Sequence, residues 1–374
     1  MKFYTNPNLD STRLEKSVLI LFKFPSRWNA HILRKFSINF NVYWSFINDS
    51  YQQLGSFDFS SEILKFSSQQ NIVTIILDIE FYPCFHIATI DLLRAGKPKV
   101  GLMVFDDGPL HLVNRILASR VDFILAACPI SNLKYQEMGF SSTWIPLESD
   151  SLYFRQNNEK KIDILFFGNT TCTDRPHYLT TLQNVKGRSI VIFDPAIYGQ
   201  LDQSGLAEML ASAKLIINFS KSDILTSSAF PPRPSNFVYQ LKGRVAETLF
   251  SGSICISEYA PQHHLLNINN FLDEFKNPDE MIDRIESFNY SDNAVKQRYE
   301  DFYNDCWPKF CDVNCMNKID LFLDEIQIIK KNKIINNKSL IDVNYFLIVK
   351  SVLINYFAHN TTIYEQELAL LDNC

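Results

Sequence analysis

Short apolar runs alternate with segments of helical spacing over the first 150 residues. The runs are rich in aliphatic, aromatic and β-branched side chains, and they are Ser17–Phe24, Phe40–Ile47, Asn71–Leu77, Lys99–Phe105 and Val121–Ala126. Runs of this kind are typical of parallel strands that are buried on both faces. Strands that alternate with helices form βαβ units. The pattern therefore predicts an α/β domain over residues 1–150.

The alternation begins again after Glu148–Lys161, a polar and charged stretch whose composition is typical of a linker. The new apolar runs are Ile162–Phe167, Ser189–Phe193, Lys214–Phe219 and Ser253–Ser257. Between the last two runs, Gln240–Ser251 predicts a helix that Gly252 ends. A second α/β domain is expected over residues 151–330, followed by a helical tail over residues 331–374.

Composition narrows the range of functions. Hydrophobic residues make up 46% of the chain and charged residues 21%, which is typical of a folded domain, and the net charge of −5 disfavours a nucleic-acid partner. The polar N-terminus and the lack of a long apolar run predict a cytoplasmic protein; attachment to the inner face of the membrane is left open. Three neighbouring cysteines, Cys306, Cys311 and Cys315, lack a second ligand pair, so helix packing is favoured over a metal site.

Strand ends predict where ligands bind, because loops and helix N-termini meet at the carboxyl edge of a parallel sheet. In the second domain, Gly168 and Asn169 follow a strand directly, and a glycine there lets main-chain N–H groups approach a phosphate. Arg175 follows a few residues later, either facing the same ligand or solvent. The long polar loop 221–235 is also typical of a functional segment.

Two cations and a carboxylate form the most informative cluster of the second domain. Lys242 and Arg244 open a predicted helix and are suited to a diphosphate, since arginine offers a forked set of donors. Glu247, within the next turn, is suited to the vicinal hydroxyls of a ribose. The same spacing is equally compatible with a surface ion pair between Arg244 and Glu247.

Acidic residues and histidines also follow two strands of the first domain. The strand Lys99–Phe105 precedes Asp106, Asp107 and His111, which are candidates for a general base or for acceptor binding. Asp-Asp-Gly-Pro is also a favourable turn sequence, so a structural role stays open. The strand Asn71–Leu77 is followed by three further candidates of the same chemical types: Asp78, Glu80 and His86.

Several segments in order resemble the GT-B glycosyltransferases, and in particular their spore-maturation-type (CgeB-like) group, whose signature is close to K-x-R-x-x-E-x-x-x-x-G. The matching segments are Trp144–Arg155 (WIPLESDSLYFR), Lys161–Asn169 (KIDILFFGN), Leu210–Phe219 (LASAKLIINF), Leu241–Ser253 (LKGRVAETLFSGS) and Phe271–Ile282 (FLDEFKNPDEMI). The resemblance covers about 145–290, and the first domain only by pattern.

The resemblance implies two Rossmann-like domains with a cleft between them and a tail that returns to the first domain. It implies that the C-terminal domain holds a nucleotide-sugar donor, that the N-terminal domain holds the acceptor, and that no metal or other cofactor is obligatory. Lys242 and Arg244 match the phosphate-facing cations, and Glu247 matches the ribose-binding glutamate. Tyr239 stands where many retaining relatives carry a second glutamate, which leaves the stereochemical course open.

The resulting hypothesis is sugar transfer from a nucleotide diphosphate sugar to a hydroxyl of a glycan, a lipid-linked saccharide or a protein. The fold also hosts two alternatives, a non-catalytic saccharide- or nucleotide-binding protein and a nucleotide-sugar epimerase. The sequence does not determine the nucleotide, the sugar or the oligomeric state.

Overall fold

The computed structural model describes residues 1–5, 15–78, 87–105, 107–153, 159–223, 237–328 and 361–372. These residues form two compact units. The first unit takes residues 1–145 and the described residues from Met316 onward, and the second takes the rest up to Cys315. Each unit is built around its own mainly parallel sheet.

The first unit contains a seven-stranded sheet in the order β1-β3-β2-β4-β5-β6-β7, in which only the β1–β3 pair is antiparallel. Its strands are β1 (Tyr4–Thr5), β2 (Ser17–Phe22), β3 (Asn41–Phe46), β4 (Ile72–Asp78), β5 (Lys99–Val104), β6 (Phe123–Ala126) and β7 (Ser142–Trp144). All six residues of β2 are buried. This is why it appears in the sequence as a continuous apolar run rather than an alternating one.

Helices connect these strands and cover the sheet. They are α1 (Arg27–Phe36), α2 (Asn48–Gln69), α3 (Ile87–Arg94), α4 (Asp107–Ala118) and α5 (Pro129–Glu137). The first begins at a capping box, in which Ser26 is the N-cap and the Asn29 side chain accepts a hydrogen bond from its main-chain N–H. A core of aliphatic side chains from β2, β4 and β5 lies beneath α2 and α3.

The second unit has a four-stranded parallel sheet in the order β13-β10-β8-β9 and a separate hairpin of β11 and β12. The strands are β8 (Ile162–Phe167), β9 (Ile190–Phe193), β10 (Ala213–Asn218), β11 (Lys221–Asp223), β12 (Phe237–Tyr239) and β13 (Ile254–Ser257). The helices are α6 (Arg175–Leu182), α7 (Pro195–Tyr198), α8 (Gln203–Ala211), α9 (Gly243–Phe250), α10 (Pro261–Leu265), α11 (Pro278–Ser287) and α12 (Asp292–Phe310). Gly252, at φ +71°, follows the end of α9.

The α/β architecture predicted from the alternation is confirmed, and each sheet has a point where the strand order reverses. In the first unit the chain passes from β2 outward to β3 and then returns to β4 on the other side of β2. In the second unit the same reversal lies between β8 and β10. Ligands of doubly wound folds bind beyond the carboxyl ends of the two strands that flank such a reversal.

Two segments differ from the sequence-based expectation. The loop expected over 221–235 begins as β11, whose residues pair with β12, and residues 224–236 lie outside the described residues. The stretch expected to be a linker contains a 3₁₀ turn, Asp150–Leu152, and its first two residues, Glu148 and Ser149, are buried. Ser149 is buried because its hydroxyl donates to Asp312 Oδ2, and a polar side chain with a partner is tolerated in the interior.

The described end of the chain is helical. Helix α13 (Asp312–Ile328) places Asp320 and Asp324 in ion pairs with Lys16 of the first unit, and α14 (Thr361–Asp372) packs on α2 and α3. The remainder of the tail, 329–360 and 373–374, lies outside the described residues.

Glu367 of α14 attaches this last helix to a kink in α2. At Gly55 the backbone of α2 leaves helical geometry (φ +69°, ψ 177°), which exposes the N–H groups of the next turn. Glu367 is buried and accepts hydrogen bonds from the Ser56 N–H, from Ser56 Oγ at 2.5 Å and from Tyr51 Oη at 3.2 Å. A Cβ at Gly55 would lie 2.9 Å from Glu367 Oε1 and 2.8 Å from Ile363 Cγ2, so only glycine fits.

We expect Glu367→Ala to lower the free energy of unfolding by about 1–3 kcal/mol, because it leaves buried donors without an acceptor. Glu365→Ala, in the same helix but exposed, is the matched control and should change stability by less than about 0.5 kcal/mol. Urea denaturation measures both, and equal effects of the two substitutions would contradict the role given to Glu367.

Candidate functional site

The strand-order reversal of the second sheet places the ends of β8 and β10 side by side. The chain leaves β8 at Gly168, whose φ of +139° disfavours any other residue and whose N–H donates to the Phe193 carbonyl at 2.9 Å. Asn169 follows on the surface, and its side-chain oxygen accepts hydrogen bonds from the N–H (2.7 Å) and hydroxyl (2.8 Å) of Thr171. The result is a tight turn at the carboxyl edge of the sheet.

Asp194 fixes this turn from the neighbouring strand end. The buried carboxylate accepts from the Thr170 N–H at 2.8 Å, from the Thr170 hydroxyl at 2.6 Å and from the Ala196 N–H at 2.9 Å. These hydrogen bonds hold the pKa of Asp194 below its ordinary value of 3.8, and the one from the Thr170 side chain has the largest effect. The loops after β8 and β9 are thereby joined through one ionised side chain.

Arg244, in the first turn of α9, lies against Gly168. A Cβ at Gly168 would overlap the Arg244 guanidinium. The guanidinium donates to Asn218 Oδ1, at the end of β10, over 3.5 Å, and its Cζ lies 5.3 Å from the ring centroid of Phe166 in β8. Arg244 is half-buried. A positive charge is therefore held at the ends of both strands that flank the reversal.

Lys242, the N-cap residue of the same helix, faces the hairpin. Its ammonium donates to Ser222 Oγ and to Gln240 Oε1, and Ser222 Oγ lies 2.7 Å from Gln240 Oε1. These contacts place the ammonium of Lys242 between the hairpin and the first turn of α9. The structure thus places both predicted cations at one end of one helix.

Arg175, expected to face either the ligand or solvent, is buried. Its side chain is 7% exposed, and its guanidinium donates to the main-chain carbonyls of Asn169 at 2.8 Å and Lys221 at 3.2 Å. Arg175 therefore connects the loop after β8 with the loop after β10. We infer that it positions these loops.

Sequence reasoning missed a buried ionic cluster around Lys221. The Lys221 ammonium lies 2.9 Å from Asp174 Oδ2 and 2.8 Å from Glu258 Oε1, and Glu258 Oε2 accepts from the N–H groups of Ser220 and Lys221 at 3.0 Å. Burial alone lowers the pKa of Lys221, but the two carboxylates outweigh this effect and raise it. One feature of the sequence could have indicated this cluster. Glu258 directly follows the predicted strand Ser253–Ser257, and Lys221 lies two residues after the predicted strand Lys214–Phe219.

Glu247 lies one turn beyond Arg244 on α9 and is only 1% exposed. Its Oε1 accepts a hydrogen bond from Tyr153 Oη at 2.9 Å. Burial, and then the charge of Glu247, raise the pKa of the Tyr153 hydroxyl well above its ordinary value. In this structure the carboxylate is therefore engaged by a tyrosine of the domain junction.

The candidates of the first unit are only partly described. Asp106, Glu80 and His86 lie outside the described residues, and Asp107 is described only as the first residue of α4. His111 lies on α4, half-buried, with its ring centroid 5.0 Å from that of Tyr135.

Two further observations concern metals and membranes. Within the described ranges, no group of three or more His, Cys, Asp or Glu side chains is arranged to hold a metal ion, and Cys306, Cys311 and Cys315 are buried at the ends of α12 and α13. Among the same residues, no helix has the length and apolar character needed to cross a membrane.

Comparison with solved structures identifies the architecture. HepE of Anabaena, in complex with UDP-glucose, superposes with a TM-score of 0.54 at 11% identity, covering 83% of this chain and 99% of that one. The α,α-trehalose 6-phosphate synthase of Burkholderia multivorans gives 0.52 at 8% identity, with 83% and 98% covered. AviGT4, a glycosyltransferase involved in avilamycin A biosynthesis, gives 0.50 at 8% identity, with 84% and 99% covered. The chain has the GT-B fold. No protein-family model and no curated protein matches the sequence.

The GT-B assignment confirms the predicted fold class, with two Rossmann-like units and a helical C-terminal region. At these identities the likeness concerns the fold alone. The assignment of site residues in this chain therefore depends on its own geometry, and the ligands that these residues would bind stay predictions.

We expect the stability contributed by Asp194 to depend on pH. Because the folded state lowers its pKa, this contribution is complete above the unfolded value of 3.8 and is lost as the pH falls through the folded value. Asp194→Asn should lower the Tm at pH 7, and its difference from the unmodified protein should shrink towards pH 3. Asp202→Asn, at a cap that accepts from a single N–H at 2.7 Å, is the control. A constant difference across this range would contradict the ionised role of Asp194.

Proposed function

We propose that the protein is a glycosyltransferase that moves a sugar from a nucleotide diphosphate sugar to a hydroxyl of a glycan, a lipid-linked saccharide or a protein. The observation that carries the proposal is the half-buried Arg244 guanidinium, held against a side-chain-free Gly168 at the strand-order reversal of the second unit. Support comes from the GT-B fold shared with HepE, whose structure contains UDP-glucose.

In this proposal the diphosphate binds at the end of β8. Gly168 leaves space for the Arg244 guanidinium, which supplies forked donors to the phosphate, and Asn169 lies in the adjacent turn. Lys242 adds a second positive charge from the N-cap of the same helix. During transfer, negative charge grows on the departing nucleoside diphosphate, and fixed cations stabilise that charge without reorganising.

Two further cations that the structure describes at this edge serve the loops. The charge of Lys221 is balanced by Asp174 and Glu258, and Arg175 donates to main-chain carbonyls. Their removal would release the loops rather than delete a ligand contact. We therefore assign diphosphate binding to Lys242 and Arg244, and loop positioning to Arg175 and Lys221.

Glu247 is proposed to accept hydrogen bonds from the ribose hydroxyls. In this structure Glu247 accepts a hydrogen bond from the Tyr153 hydroxyl, which is a neutral donor like a ribose hydroxyl. A ribose would take the place of Tyr153 or share the carboxylate with it. Glu247→Gln should lower the affinity for nucleoside diphosphates and leave the affinity for pyrophosphate, which has no ribose, unchanged. Such a difference would support this contact.

The resemblance in sequence also suggests a reaction class, a cellular role and acceptor-binding residues. We propose a hexosyl or related transferase of the spore-maturation-type group that acts in polysaccharide biosynthesis in the cytoplasm and requires no metal. Asp106, Asp107 and His111 are proposed to meet the acceptor. Tyr239, in β12, stands in place of the second glutamate of many retaining relatives, so the alternative of a binding protein without catalysis is kept beside the proposal.

Removal of Arg244 should weaken nucleotide binding. With a panel of UDP, GDP, ADP and dTDP in calorimetry, at least one should bind, and Arg244→Ala should raise its Kd by about 10- to 100-fold, the effect of losing charge-assisted hydrogen bonds. Arg188→Ala is the matched control, because Arg188 is exposed and precedes β9 at the opposite edge of the sheet. Binding of no nucleotide would reject the proposed function, and an unchanged Kd in Arg244→Ala would reject the site.

Gly168→Ala separates backbone strain from loss of the site. Gly168 and Gly187 both have positive φ, but a Cβ at Gly187 meets no atom within 4 Å. Both alanine variants should lose about 1–3 kcal/mol of stability through strain. Only Gly168→Ala displaces the guanidinium of Arg244, so only this variant should weaken nucleotide binding, by about tenfold or more. Equal Kd values for the two variants would contradict the proposed contact.

A further inference from the structure

Asp78 is the last residue of β4 and stands at the strand-order reversal of the first sheet. It lies opposite Phe22, the last residue of β2, in the parallel register of the two strands. The main chain is fixed at this point, because the Lys23 N–H donates to the Asp78 carbonyl at 3.2 Å. By strand order β4 corresponds to β10 of the second unit, whose last residue is Asn218.

The Asp78 carboxyl group is half-buried, and within the described part of the chain it accepts no hydrogen bond. Burial raises its pKa to about 7, and the positive charge of Lys23, from the end of β2, opposes this rise. On its other side β4 pairs with β5, which ends in the apolar Met103 and Val104. Asp78 thus ends its strand beside the apolar end of β5, and among the described residues Lys23 is the cation that acts on its carboxyl group.

Other acidic residues of the first unit have structural partners. Asp122 accepts from Arg94 at 2.8 and 3.1 Å and from the Val100 N–H at 2.9 Å, at the amino edge of the sheet. Asp320 and Asp324 pair with Lys16. These contacts account for their carboxylates. Asp78 differs in having no such contact at the edge where ligands of this fold bind.

We propose that Asp78 is the general base of the transfer reaction, the group that takes the proton from the acceptor hydroxyl. The inference rests on the proposed function and deepens it. The acceptor oxygen forms a bond to the anomeric carbon while the bond from that carbon to the diphosphate oxygen breaks. The nucleoside diphosphate leaves with the electron pair, and the hydroxyl proton moves to a carboxylate oxygen of Asp78, which later releases it to solvent. A single displacement of this kind inverts the anomeric configuration.

The environment of Asp78 suits this task. A base is most effective when its pKa lies near the working pH, since it is then both ionised and able to bind a proton firmly. A carboxyl group at its ordinary pKa of 3.8 is a weak base at neutral pH. Burial makes Asp78 a stronger base, and the charge of Lys23 keeps part of the population ionised.

The same environment should destabilise the folded protein at high pH. Because the folded pKa lies above the unfolded value, the contribution of Asp78 to stability is complete below pH 3.8 and is lost as the pH rises to about 7. Asp78→Asn removes the charge and should therefore raise the Tm at pH 8. A residue that only supports the structure would show the opposite change.

The experiment compares Asp78→Asn and Asp78→Glu with Asp58→Asn, an exposed aspartate of α2. Water can serve as the acceptor, so the readout is release of nucleoside diphosphate from the sugar nucleotide whose nucleotide binds in calorimetry, UDP-glucose for UDP. We expect Asp78→Asn to lower the rate by about 10²- to 10⁴-fold with an unchanged Kd. Asp78→Glu should retain part of the rate, and the unmodified protein should lose its rate as the pH falls below about 7.

Three outcomes would overturn the role of Asp78. They are a rate of Asp78→Asn within twofold of the unmodified protein, a lower Tm of this variant at pH 8, and release of sugar with retained configuration in early proton NMR spectra. The Tm requires no substrate, so the role of Asp78 is tested even if turnover is slow. Failure of the proposed function has another signature, because no nucleotide of the panel would then bind the unmodified protein.

Discussion

The close approach of Arg244 to the end of β8 depends on the absence of a side chain at position 168. Gly168 meets two demands at once, since its positive φ turns the chain away from the sheet and its missing Cβ leaves room for the guanidinium. Most of the polar structure at this edge preserves that space. Asp194 holds the turn from the next strand end, and Arg175 holds it to the loop after β10.

The cations at this edge differ in the groups that they contact. A buried cation is tolerated only when carboxylates or carbonyls replace its hydration, and Lys221 and Arg175 meet this condition. Lys242 and Arg244 are half-buried, and the side chains that they contact in the structure include the neutral Ser222 and Asn218. The contacts of the first pair hold the loops, and the second pair is the one that we propose for an anionic ligand. A protein with a net charge of −5 needs such local arrangement to bind a diphosphate.

Most strands of both sheets could be predicted because burial on two faces leaves a direct trace in the sequence, as in β2 and β8, whereas the two-residue edge strand β1 was not predicted. The helix ended by Gly252 was predictable for an equally local reason. The hairpin of β11 and β12 was not, since its two three-residue strands pair with each other across the intervening residues. The ion pair of Lys221 with Glu258 and the contact of Glu367 with Ser56 join residues 37 and 311 positions apart. Such partners are set by the tertiary fold, and no spacing rule finds them.

Two carboxyl groups of the first unit, those of Glu367 and Asp78, differ in their hydrogen-bond donors and therefore in the roles that we assign to them. Glu367 is enclosed by the Ser56 N–H and by two hydroxyl groups, so its charge is used to hold the last helix on the kink of α2. Asp78 is also withdrawn from water, but the described chain offers its carboxylate only the charge of Lys23. A carboxylate saturated with donors is a poor base, because its lone pairs are already engaged. The one that lacks donors keeps its affinity for a proton, and it stands at the strand end where a substrate hydroxyl would supply one.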